Sequence, residues 1–104
     1  MRIAKGILPL ALLAGLSMNA LAERELPSKV FDCQVATISG AYGLVMIQAN
    51  SLEQARTESV GRTASTMAGA KGTANRVIQC IEKRKGSSFS DSGFQAWFDS
   101  LEEG

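Results

Sequence analysis

The sequence predicts a small α+β domain: an antiparallel sheet of about three strands, a central helix and a C-terminal amphipathic helix, crosslinked by one disulfide. Three observations carry that expectation. Residues 30–39 alternate apolar and polar positions, and a short apolar run follows at Leu44, Val45, Met46 and Ile47. Phe94, Trp97, Phe98 and Leu101 recur at the spacing of one helix face. Cys33 and Cys80 are the only cysteines of a chain of 104 residues.

Residues 1–22 are set apart from the fold. Arg2 and Lys5 precede an apolar stretch from Ile7 to Leu16, and Ala20-Leu21-Ala22 has the small-x-small form of a signal-peptidase site, with cleavage after Ala22. The apolar stretch is about half of the ~20 residues that cross a bilayer, so the reading is an export signal and a product with no transmembrane segment. Residues 23–29, with Pro27, read as a flexible leader, and residues 30–104 as one domain. The expected location is the periplasm or the medium.

Within the domain, Phe31, Cys33, Val35 and Thr37 share one face of the first segment and Asp32 and Gln34 the other, which predicts a half-buried strand. Residues 39–43 (Ser-Gly-Ala-Tyr-Gly) supply turn chemistry, so the apolar run at 44–47 returns as the second strand of a hairpin. Ser51 and Gln54 have the spacing of a capping box, which starts a helix near Ser51. Leu52, Ala55, Val60, Ala64 and Met67 would form its inward stripe, although Gly61 and the many Ser and Thr residues weaken it beyond Ser59.

After a break at Gly69-Ala70-Lys71-Gly72, residues 74–82 admit two readings. Val77, Ile78 and Ile81 are β-branched and favour a strand. Ala74, Val77, Ile78 and Ile81 also fall at helical spacing, with Thr73 as a cap. The strand is preferred, and laid antiparallel to the first it brings Cys80 to Cys33. A disulfide closing that loop would stabilise so short a chain by roughly 4 kcal/mol in the chain-entropy treatment. The last helix takes Ser90 as its expected N-cap, with Phe89 folding over it onto Phe94.

Composition narrows the chemistry. Histidine is absent, which removes His-dependent nucleophilic catalysis and histidine-ligated metal. Glu53, Glu58, Asp99, Glu102 and Glu103 read as solvated helix faces, and no catalytic residue, cofactor site or metal site is assigned. Two Gly-x-x-Gly pairs, at 40–43 and 69–72, match a phosphate-approaching loop only in spacing and read as turn glycines, so nucleic acid is not an expected partner.

Without Arg2 and Lys5, the eleven basic residues become nine against ten acidic ones, a net charge of −1. Seven of those nine lie between residues 53 and 85, whereas residues 91–103 hold four acidic residues and no basic one. Lys83, Arg84 and Lys85 form the sharpest feature, read either as a solubilising rim or as a surface for an acidic protein or another envelope component. The functional expectation is an exported, non-catalytic binding or accessory module of the cell envelope. The alternative is a small redox factor or enzyme using Cys33 and Cys80, against which stand the missing Cys-x-x-Cys and the missing histidine.

Overall fold

The computed structural model describes residues 29–103. The cleavage position at Ala22 and nearly all of the expected leader lie outside them. Lys29, the last residue of the expected leader, belongs to the first strand. Its elements are β1 (Lys29–Thr37), β2 (Tyr42–Ala49), α1 (Leu52–Ser59), β3 (Thr63–Thr66), β4 (Lys71–Glu82) and α2 (Ser92–Glu103). All strand pairs are antiparallel, and the order β1-β2-β3-β4 closes on itself as β4 pairs with β1.

The hairpin forms where alternation and turn residues predict it. Gly40 takes a φ of 98°, open to glycine and strained for other residues, and Thr37 Oγ1 donates to the Ala41 carbonyl at 2.7 Å across the turn. Gly69, with φ 93°, turns β3 into β4 in the same way, so both Gly-x-x-Gly pairs begin at turns. Residues 74–82 lie wholly in a strand, and Cys33 faces Cys80 in the β1 to β4 register. Their sulfurs are bonded.

Three features differ from the sequence expectation. The central helix stops at Ser59, with extended backbone at Val60 and a left-handed Gly61, and the chain then enters β3, a fourth strand. Of the expected inward stripe, Ala55 alone is buried on the helix; Leu52, Val60 and Met67 are exposed, and Ala64 is buried as a β3 residue. An eight-residue helix makes barely two turns, too few to present five residues on one face. Its start is as expected: Ser51 Oγ accepts from the Gln54 amide at 3.1 Å, and Gln54 Oε1 accepts from the Asn50 amide at 2.7 Å.

Closure by β3 is partial. It pairs with β2 only at Gly43 and Leu44 and with β4 only from Lys71 to Thr73. Gly43 permits this approach, since a Cβ there would stand 2.8 Å from the Ser65 carbonyl oxygen. Beyond it the edges of β2 and β4 diverge, and α1 packs across the gap with Ala55 in the barrel's interior cluster. That cluster also holds Phe31, Cys33, Val35, Val45, Ile47, Ala64 and Ala74.

The second difference is that β1 is buried on both faces. Asp32 and Gln34 were expected at the solvent side, yet Asp32 is 2% exposed and Gln34 is fully buried. The cause is α2, whose Phe94 and Phe98, with Phe89 before it, form a second cluster on the outside of the barrel with Ile81, Leu44 and Trp97. Phe89 packs edge-on against Phe94 at 4.8 Å and against Phe98 at 5.3 Å, so the expected staple is present. Leu101, last of the stripe, is exposed.

The cap of α2 is Asp91, not Ser90. Asp91 Oδ1 accepts from the Phe94 amide at 3.0 Å, and the Ser90 amide instead donates to Gln79 Oε1 at 2.8 Å. Gln34 and Gln79 face each other in the β1 to β4 register, and Gln34 Nε2 donates to Asp91 Oδ2 at 3.1 Å. Gln95 Oε1 takes the Phe89 amide at 2.7 Å. Three glutamines thus hold the segment that leads α2 onto the sheet.

The Phe94 amide first and the Gln34 amide second hold the Asp91 carboxyl below its ordinary value of 3.8. The unfolded chain therefore binds this proton more readily than the folded one. Asp91's contribution to stability is present above 3.8 and is lost as pH falls through and below that value. Asp91→Asn keeps an acceptor for the Phe94 amide without the titration. It should flatten the acid limb of a plot of Tm against pH, checked by calorimetry on both proteins.

Candidate functional site

Lys83, Arg84 and Lys85 form an exposed turn directly after β4. Two backbone bonds fix its shape: the Lys83 amide donates to the Val30 carbonyl at 2.9 Å, and the Lys85 amide to the Glu82 carbonyl at 3.2 Å. The turn is therefore bound to the β1 to β4 ladder at the same end of the barrel as Lys29.

Its three cations are not equivalent. Lys83 Nζ stands 4.0 Å from Asp32 Oδ1, a carboxylate on the covered face of β1. Lys83 thus serves the fold's own electrostatics and is not only part of a solvated rim. Arg84 and Lys85 project from the exposed turn. Sequence reasoning missed the Asp32 carboxylate as a partner because alternation placed it toward solvent.

Three open depressions surround this end. One of about 350 Å³ is lined by Lys29, Val30, Glu82, Lys83 and Arg84. A second, of about 390 Å³, lies between Val30, Met46, Gln48 and Lys83. The third, about 510 Å³, has Phe31, Cys80 and Leu52 as apolar lining and Glu82, Lys85 and Ser87 among its polar residues. Lys29, Leu52 and Ser87 carry no sequence signal for such a role, because the barrel's closure is what brings them together.

The disulfide forms part of the barrel wall. Cys33 is fully buried and Cys80 is 7% exposed. A thiolate attacking this bond would meet Cys80 from the third depression and could not reach Cys33 without opening the barrel. Among the described residues no helix is long and apolar enough to cross a membrane.

No family model, no curated protein and no solved structure matches this chain. The site is therefore read from its own geometry.

Proposed function

We propose that the protein is an exported, non-catalytic binding module of the cell envelope that holds its partner at the Lys83, Arg84 and Lys85 end of the barrel. The observation that carries this reading is the basic turn itself: adjacent exposed cations on a backbone fixed to a disulfide-bonded ladder, beside depressions with apolar lining. A charged loop that served solubility alone would need neither the fixed backbone nor the adjoining grooves. Positive charge presented on a rigid element steers an acidic partner and fixes its register. The disulfide supports export, since such bonds persist in oxidising compartments. Full burial of Cys33, with Cys80 only 7% exposed, speaks against the redox reading, which needs a readily reached sulfur.

The test is capture from envelope extract with tagged wild type and with R84E/K85E. Lys83 is left intact because a carboxylate in its place would face Asp32. Both exposed residues lack folded partners among the described side chains, so the double variant should melt within ~0.5 kcal/mol of wild type and lose the partner. Equal capture by the two proteins would remove the basic turn from the binding surface.

A further inference from the structure

The β1 to β4 ladder fixes which way each peptide group of β4 points. Bonded and non-bonded pairs alternate along an antiparallel ladder. The Lys83 amide bonds to Val30, and the register pairs Phe31 with Glu82, Asp32 with Ile81, Cys33 with Cys80 and Gln34 with Gln79. Asp32 with Ile81 and Gln34 with Gln79 are therefore bonded pairs. Cys33 with Cys80 and Phe31 with Glu82 are not, so the peptide groups of Cys80 and Glu82 point away from β1.

On that outer side β3 reaches only as far as Thr73, and the gap beyond is spanned by α1, which offers no edge to pair with. The Glu82 carbonyl takes the Lys85 amide. Among the described residues the Cys80 amide and carbonyl and the Glu82 amide have no backbone partner. The 510 Å³ depression borders the same stretch: it is lined by Cys80 and Glu82 and also by Gln79 and Ile81, residues of alternating faces, as an opening along a strand edge must be.

We propose that this open edge of β4 receives an extended acidic peptide segment as an added strand. The inference rests on the binding-module reading and supplies its partner class and mode. Main-chain bonds to Cys80 and Glu82 would give the segment its direction, and an apolar side chain would enter between Phe31 and Leu52. Charge selects an acidic sequence, because with Lys83 set against Asp32 the cations Lys29, Arg84 and Lys85 still outnumber Glu82 at this end of the strand. An anionic lipid surface fits less well, since the unused groups include amide donors and a carbonyl acceptor spaced for a peptide.

The experiment titrates ¹⁵N-labelled protein with a peptide of about eight residues alternating valine and glutamate, enough to cover the edge. The same peptide N-methylated at alternate residues and phosphatidylglycerol vesicles are run in parallel. The expected result is slowed hydrogen exchange at Cys80 and Glu82, roughly tenfold weaker binding after N-methylation, and a similar loss in R84E/K85E and at high salt. Glu82→Pro removes an outward amide without costing a ladder bond, as proline at a strand edge does, and should weaken the peptide comparably.

Equal binding of the N-methylated peptide, or unmoved Cys80 and Glu82 amides, overturns strand addition. Loss of binding in R84E/K85E would in that case still uphold the basic turn as a binding surface. Pairing at Cys80 and Glu82 that ignores R84E/K85E overturns the acidic partner and the basic-turn reading together. Binding of vesicles without binding of peptide overturns the proposal in favour of a lipid surface.

Discussion

Replacing Phe94 with alanine is expected to destabilise the protein by about 3 to 5 kcal/mol, the range for losing a buried phenylalanine. Phe94 is 1% exposed and stands at the centre of the outer cluster, against Phe89 at 4.8 Å and Trp97 at 5.3 Å. The Phe89 backbone is held by Gln95, and the barrel wall beneath is a hydrogen-bonded sheet, which limits how far the cluster can close over the space. The consequence extends beyond the cavity, since α2 keeps Asp32 and Gln34 from water. Denaturant unfolding followed by Trp97 emission and by far-UV circular dichroism checks the magnitude. If the helix docks as a separate unit, the Trp97 transition in Phe94→Ala will precede loss of the sheet. Phe94→Leu, which keeps most of the volume, should cost well under half as much.

The same outer cluster shows where sequence reasoning reached and where it stopped. The stripe of Phe94, Trp97 and Phe98 was legible because helical periodicity is local. What it packs on was not, because Leu44 and Ile81 become neighbours only when β2 and β4 flank β1. Alternation alone places Asp32 and Gln34 toward solvent for that reason: it reports which residues share a face and says nothing of what lies over it. A signal was present in retrospect, since an aromatic stripe in so small a chain needs a second apolar surface, and the outward positions of β1 and its neighbours were the one left.

β3 was hidden for a different reason. Thr63-Ala64-Ser65-Thr66 buries only Ala64 and Thr66, and side chains that small leave no periodic hydrophobic pattern. Its existence depends on Gly43 admitting the backbone of Ser65, a contact between residues 22 positions apart in sequence. The helix-or-strand ambiguity over residues 74–82 stays open in the sequence, where the β-branched residues only favour the strand; the β1 to β4 register resolves it. The basic turn was legible as charge. Its value as a site was not, because the neighbouring edge and depressions arise from incomplete closure of the barrel.

Removing the disulfide is expected to have an effect of comparable size. The pairing of Cys33 with Cys80 joins chain positions 47 apart, and a closed loop of that length removes roughly 4 kcal/mol of conformational freedom from the unfolded chain. A folded domain of about this size has a total stability on the order of 4 to 11 kcal/mol, so the loss is a large fraction of the whole. The barrel has little with which to compensate, because Ala49, Ala55, Ala64 and Ala74 make up much of its interior cluster. The bond also sits at a non-bonded pair of the ladder, where strand backbones approach most closely and no main-chain hydrogen bond joins the two residues. Cleaving it therefore loosens β4 from β1 beside the open edge at Cys80 and Glu82. Urea unfolding of the oxidised protein, the reduced protein and C33A/C80A should show midpoints for the last two shifted together to much lower denaturant. A reduced protein as stable as the oxidised one would mean that the ladder alone holds β4, and that the crosslink's constraint on the unfolded chain is offset elsewhere.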